Sequence, residues 1–341
     1  MPIDLPLIWA AVISTAVLLY VLLDGFDLGV GALFPFATDE ERDLMTASIA
    51  PVWDGNETWL VLGGGGLFAA FPLAYAMLMP ALYLPITLML SALILRGVAF
   101  EFRAHGRRRG RRFWTGAFAF GSILAVVAQG FVLGAFVQGV RVAGRSFAGG
   151  MFDWLTPFTV LTAVSLTLGY ALLGAGWLIA KTEGELQAKA RRWAGRLALA
   201  VAVAMALVSV ATLAVNPAVT QRWGVSMTAV DFGRLGPLSP APLLGAAGLV
   251  AVFLTARSSK TTFAPYLWAT VVFLAGYAGL ALSIFPYVVP YRVSLWQAAA
   301  RDNALTLMLV GVGVMLPLIL AYTAYVYWVF RGKVSAEQGY H

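Results

Sequence analysis

Long apolar runs set the plan of this chain. Nine stretches, near the roughly 20 residues that carry a helix across a bilayer, follow one another with short polar breaks. They fall at 7–34, 56–71, 75–100, 113–137, 156–180, 197–215, 242–255, 263–288 and 303–330. The seventh is the shortest, and Pro72 marks the break between the second and third. The pattern predicts an all-α polytopic membrane protein of about nine transmembrane helices, with residues 1–341 as a single integral membrane domain.

Charged positions inside these runs are confined to one part of the chain, and others stand at the run edges there. The stretches LLDGFDLGVG (22–31), IAPVWDGNETWLVLGGGG (49–66) and LILRGVAFEFR (93–103) hold Asp24, Asp27, Asp54, Glu57, Arg96, Glu101 and Arg103. Beyond Arg112 no apolar run carries an ionisable acid or base away from its ends. A charge in hydrocarbon costs kilocalories, so such residues mark a functional site by default.

Basic residues between the runs give an orientation. Loops after odd-numbered runs hold most of the 23 Lys and Arg: Arg42, the stretch 103–112, the stretch 181–196, Arg257 with Lys260, and Arg331 with Lys333. Even-numbered loops hold only Arg141, Arg145, Arg222, Arg234, Arg292 and Arg301. By the positive-inside rule the N-terminus is expected outside and the C-terminus in the cytoplasm, which requires an odd number of crossings. In that orientation the seven charged residues gather in the cytoplasmic leaflet or at its edge.

Each candidate has a chemical and a structural reading. Asp24 and Asp27, three apart, share one helix face; they form a protonatable face, lining water or meeting Arg96, or else a structural ion pair near a helix end. Asp is too short to snorkel as Lys and Arg do. Asp54 and Glu57 form D-x-x-E at a helix start, close to a capping box and favoured by the helix dipole. Set among Trp53, Asn56 and Trp59, they also suit a place for a proton to pause. Arg96 is the basic residue well inside a run, and a buried guanidinium needs a partner. Asp24, Asp27, Asp54 and Glu101 are the candidates, with Glu101 alternatively a plain interface residue. Gln129 and Gln138 suit interhelical hydrogen bonding or a pathway. RRRGRR (107–112) reads as a topology determinant.

Composition narrows the chemistry. Apolar residues make up 60% of the 341 and charged ones 11%, which fits a helical membrane protein and not a soluble enzyme. The net charge of +7 sits in short loops, so topology explains it and nucleic acid does not. With no cysteine, disulfides, thiolate-held clusters and a cysteine nucleophile are excluded. The two histidines, His105 and His341, lie in a basic loop and at the C-terminus, so this chain alone is expected to bind no haem in its membrane core. A cleavable signal peptide is not expected, because a basic n-region is lacking and the first apolar run is too long.

Glycine spacing points to close packing. Gly25 with Gly29, and Gly130 with Gly134, are GxxxG pairs, and the run Gly63–Gly66 needs close neighbours or a bound group. LGYALLGAGWL (168–178) faintly echoes DGFDLGVGALF (24–34), a hint of a duplicated four-helix unit. The 216–242 loop is rich in turn residues, and Trp223, Tyr287, Tyr291 and Trp296 suit an aromatic belt at the outer interface.

At the charged stretches the chain resembles subunit II of the cytochrome bd-type quinol oxidase family, including its cyanide-insensitive branch. DGFDLGVG (24–31), IAPVWDGNETWL (49–60), Gly63–Gly66 followed by LFAAFP (67–72), and R-x-V-x-F-E-F-R (96–103) carry the resemblance. It is dense over the first 105 residues and continues in the helix pattern, FPYVVP (285–290) and AYTAYVYWVF (321–330). The resemblance implies two four-helix bundles plus a peripheral helix: 1–140 with the charged cluster, then 150–341, charge-poor and ending in that helix. It implies pairing with a subunit I that carries haems b558, b595 and d and the quinol site. It associates Asp54, the Asp of the WDGN motif, with a cytoplasmic proton pathway, with the DGFD carboxylates and Arg96 nearby. Some members hold a structural quinone in this subunit, and a small single-span subunit attaches to some.

The expected protein is therefore the haem-free second subunit of a bd-type quinol:oxygen oxidoreductase in a bacterial inner membrane, in contact with lipid and the quinol pool. Asp54 is expected to carry protons, Glu57, Asp24 and Asp27 to help, and Arg96 and Glu101 to pair with and tune them, with Trp53, Asn56 and Trp59 in support. No catalytic residue, metal ligand or cofactor contact is expected in this chain itself. The alternatives are a proton- or cation-coupled secondary transporter, with the acids as coupling site, and an assembly scaffold whose charges staple helices.

Overall fold

The computed structural model describes residues 4–105, 108–225 and 229–334. The first half holds α1 (Leu5–Leu33), α2 (Asp39–Ile49), α3 (Trp53–Ala70), α4 (Pro72–Ala81), α5 (Tyr83–His105) and α6 (Arg108–Gln138). A hairpin of β1 (Val142–Ala143) and β2 (Ser146–Phe147) follows, then α7 (Pro157–Lys181), α8 (Gly184–Val215), α9 (Pro217–Trp223), α10 (Phe232–Leu238), α11 (Pro240–Arg257) and α12 (Ala264–Ile284). A second hairpin, β3 (Tyr287–Val289) and β4 (Val293–Ser294), leads through α13 (Leu295–Ala298) into α14 (Asp302–Val329). His341 and Arg107 lie outside the described residues, as do the side chains of His105 and Arg108.

Among the described residues eight helices are long and apolar enough to cross a membrane: α1, α5, α6, α7, α8, α11, α12 and α14. At 18 residues α3 matches α11, the shortest of them, in length. Asp54 and Glu57 dilute its apolar character. The expected run 75–100 is a correction: it is two helices, α4 ending at Ala81 and α5 starting at Tyr83. Proline explains the break, since it lacks an N–H and fits only the first turn without cost. Pro72 opens α4, Pro80 falls in its last turn and Pro85 sits in the first turn of α5.

The expected D-x-x-E cap at Asp54 is also corrected. The N-cap of α3 is Val52, with no side-chain bond, so Asp54 already lies inside the helix. Capping boxes form instead at Thr38 with Glu41, Thr156 with Thr159, and Ser294 with Gln297.

α1 is the hub. It packs on α3, α6, α7, α12 and α14, and every residue from Asp24 to Leu33 is buried. A helix apolar all round belongs in such a position. Its tightest crossing is with α7, where a Cβ on Gly29 would stand 1.8 Å from the Tyr170 carbonyl oxygen and one on Gly174 would stand 2.4 Å from Gly29. The echoing stretches of sequence thus meet face to face. α5 packs on α6, α6 on α7, and α7, α8, α11 and α12 on one another, while α14 lies at the periphery with Leu305 its one buried residue among those described.

The loops after α1, α5, α7 and α11 and the end of α14 converge on one end of the molecule. Asp43 of α2 accepts from Arg103 at 2.8 Å and from Arg111. Glu41 meets Lys189 at 2.7 Å, and Arg191 donates to Ser258 O at 2.6 Å. At the opposite end Trp296 donates to Asp4 at 3.0 Å and Tyr291 to Val137 O at 3.0 Å, and α4 packs on both hairpins.

Candidate functional site

Arg96 organises a buried ion cluster near the basic end. Its side chain on α5 is fully buried, as are Asp24 and Asp27 on α1. Arg96 Nη1 donates to Glu57 Oε1 of α3 at 2.5 Å, while Nη2 lies 3.4 Å from Asp24 Oδ1 and 4.0 Å from Asp27 Oδ2. The guanidinium stacks over the Trp53 ring at 5.1 Å. Asn56 donates its amide to Asp27 Oδ2 at 2.7 Å and to Leu23 O at 3.3 Å. Both oxygens of Asp24, Oδ1 of Asp27, and Nε and Nη2 of Arg96 make no hydrogen bond, so charge rather than saturated hydrogen bonding holds the cluster.

Helix geometry explains the convergence. Residues 24 and 27 share the face of α1 turned to α3 and α5, and the first turn of α3 starts beside it. The nearest acid to Arg96 is Glu57, which was outside the four expected partners. With the helix beginning at Trp53, Glu57 falls one turn in, where its longer side chain reaches the guanidinium. Asp54 is exposed on the first turn and Glu57 is 27% exposed, so exposure falls stepwise from Asp54 through Glu57 to the wholly buried trio. Glu101 is exposed and stands outside the cluster, five residues on and roughly 140° round α5 from Arg96. Trp59 is buried at 2%.

Gln129 makes the interhelical hydrogen bonds expected of it, but its partners Tyr20 and Tyr170, and Tyr327 beyond, escaped the sequence reading. Gln129 of α6 donates to the Tyr20 hydroxyl at 2.6 Å and accepts from that of Tyr170 at 2.9 Å, tying α1, α6 and α7 together one turn from Asp24. Tyr20, four residues before Asp24, was legible by its spacing. The Tyr327 hydroxyl of α14 donates to Asn56 Oδ1 at 2.9 Å, and no sequence signal links residues 271 apart. On α2, outside the spans, burial pushes the Glu41 carboxyl up, but hydrogen bonds from Lys189 and the Thr38 N–H outweigh it and hold it below its usual range.

Three carboxyls therefore face one guanidinium in a dry setting, a group suited to taking up and passing on protons. Among the described residues no set of three or more His, Cys, Asp or Glu is placed to hold a metal. Without cysteine, and with histidine only at 105 and 341, the residues do not fit a haem.

Long apolar helices wrapped round a buried ion cluster define a class: a polytopic membrane protein with charge in its helix core. Residues 5–330 match the family model described as cytochrome bd terminal oxidase subunit II, and the chain belongs to that family. It is 30% identical to the cytochrome bd-I ubiquinol oxidase subunit 2 of Escherichia coli K12, over 97% of this chain and 95% of that one. It is 29% identical to the cytochrome bd ubiquinol oxidase subunit 2 of Bacillus subtilis 168, over 97% of each. The fold resembles a chain of the bd oxidase from Geobacillus thermodenitrificans with a TM-score of 0.72 at 16% identity, covering 96% of this chain and 99% of that one. The protein is thus a multi-pass bacterial inner-membrane subunit of an oxidoreductase complex.

Proposed function

We propose that this chain is the haem-free second subunit of a bd-type quinol:oxygen oxidoreductase, and that it supplies part of the cytoplasmic route for the protons consumed when oxygen is reduced. Two quinols give up four electrons and four protons, and one O2 takes four of each to form two waters. The redox centres, haems b558, b595 and d in the family, belong on this reading to subunit I, with which the chain pairs. Orientation follows the basic loops, with the N-terminus outside and the C-terminus inside. The helices fall into two bundles, α1, α3, α5 and α6 against α7, α8, α11 and α12, with α14 peripheral.

The stepwise loss of exposure from Asp54 through Glu57 to Arg96, Asp24 and Asp27 carries the proposal. Asp54 gathers protons at the basic end. Glu57, partly exposed and bonded to Arg96, passes them inward. Asp24 and Asp27 share the guanidinium with it, so a proton arriving on one acid frees Arg96 to favour the others. Trp53 and Trp59 wall the group off and Asn56 orients Asp27. A transporter would place its site near the midplane on broken helices, and this cluster lies towards one end.

Asp54→Asn in the purified complex tests the route. Oxygen consumption should fall at least about tenfold, as for loss of a proton-transfer group, with haem content retained. Wild-type rate and haem content together would refute a proton role, and loss of the haems would make the residue structural.

A further inference from the structure

We propose that Tyr327, on the peripheral helix α14, is a positioning residue for the acid cluster: its hydroxyl holds the Asn56 amide and, through it, the carboxyl of Asp27. The inference rests on the proton-route reading and adds to it an element that sequence leaves far away.

Asn56 is 1% exposed, and its amide can satisfy its surroundings in one orientation. Its nitrogen faces two acceptors, Leu23 O at 3.3 Å and Asp27 Oδ2 at 2.7 Å. Turned over, the amide oxygen would meet a carbonyl and a carboxylate with no donor between them. The amide oxygen therefore points outward, and the Tyr327 hydroxyl at 2.9 Å is the group that meets it. The Asn56 bond matters because Arg96 Nη2, 4.0 Å from Asp27 Oδ2, is too far for a hydrogen bond, and Asp27 Oδ1 makes none.

Tyr327 is held in place. Its ring meets Trp177 edge-on at 6.2 Å, and Trp177 in turn donates to Ser48 O at 3.2 Å. Just beyond it, Lys181 Nζ donates to Phe330 O and, at 3.2 Å, to Gly332 O, binding the carbonyl end of α14 where a cation is favoured. The helix start is fastened by Trp9 Nε1, which donates to Leu305 O at 3.0 Å. Between these points α14 is largely bare, so two anchors set the height at which the hydroxyl meets Asn56.

Besides Tyr327 itself, other charged or titratable groups on the packed elements act on Asp27. They are Arg96 from α5, Glu57 from α3, Asp24 from α1 and Tyr266 from α12. Loosening the amide changes how Asp27 competes with these acids for Arg96, so the effect should appear in the pH dependence of turnover.

The test is the intact two-subunit complex carrying Tyr327→Phe, with Tyr325→Phe on the outward face of the same helix as control (Tyr325 is 61% exposed). Tyr327→Phe should assemble with a wild-type haem spectrum, and its pH profile of quinol-dependent oxygen consumption should move by about 0.5 unit or more, the worth of one hydrogen bond. Tyr325→Phe should match wild type. A Tyr327→Phe profile that coincides with wild type, or a loss of assembled complex with the profile unmoved, overturns the proposal. If Tyr327→Phe does not assemble, Asn56→Leu cuts the same link with α14 in place; it should show the same displacement, and a coincident profile overturns the proposal equally. If Asp27→Asn lowers turnover while Tyr327→Phe does nothing, the positioning role alone fails. If both Asp27→Asn and Asp54→Asn leave turnover untouched, the proton route fails with it.

Discussion

Removing the guanidinium of Arg96 leaves the wholly buried Asp24 and Asp27, and the partly exposed Glu57, facing one another. Breaking a buried ion group this way costs about 3–5 kcal/mol, mostly from the charges left behind. Arg96→Leu should therefore lower the thermal stability of the purified complex sharply, followed through the haem absorbance, or prevent its accumulation. Arg96→Lys should keep the charge and permit assembly while losing turnover, because an ammonium cannot reach two helices at once with a planar fork. Equal stability of Arg96→Leu and wild type would mean that the cluster is not held by this residue. Which residues matter was legible at this scale, because charge in an apolar run is conspicuous. Which of them touch was not. Glu57 escaped the list of partners because D-x-x-E reads as a cap on Asp54, with the helix starting at Gly55 and Glu57 as the far member, whereas α3 starts at Trp53. Asp54, prominent in the motif, turns out to stand in the open.

Among the elements, the crossing of α1 and α7 is the most constrained. Gly29→Ala would drive a methyl into the Tyr170 carbonyl, which stands 1.8 Å from the place its Cβ would take and, as backbone, cannot yield. The expected cost is about 1–3 kcal/mol or more, visible as a lower unfolding temperature of the complex. Gly116→Ala on α6, with nothing within 4 Å of its Cβ position, should be neutral or stabilising by up to about 1 kcal/mol. Equal melting points for the two variants would show that the helices are further apart. The GxxxG spacing of Gly25 and Gly29 announced a close approach, but the echo at 168–178 hinted only at duplication and did not name the partner. Pro72 signalled a break, but Pro80 and Pro85 passed unremarked inside a run of apolar residues, which hid the separate α4. Hydropathy counts apolar residues and does not register where the backbone turns.

For the molecule as a whole, the class was readable, since a 20-residue apolar run has few other uses, while the parity expected from loop charge is a matter for a labelling test. The arrangement of helices was not readable, because lipid-facing and partner-facing surfaces are equally apolar. The orientation can be tested through the absence of cysteine. A single cysteine placed at Asp231, between α9 and α10, should react with a membrane-impermeant maleimide in intact cells. One placed at Lys260, between α11 and α12, should react only after the cells are opened. The reverse pattern would invert the assignment of sides.

A helix fastened at its two tips and largely bare between them is also a gauge of the bilayer. Thinning or thickening the lipid, or replacing it with a micelle, should strain α14 between its anchors and lift Tyr327 from Asn56. Turnover of this subunit's complex should then depend on acyl-chain length, and detergent extraction alone could dull it with every chromophore still in place.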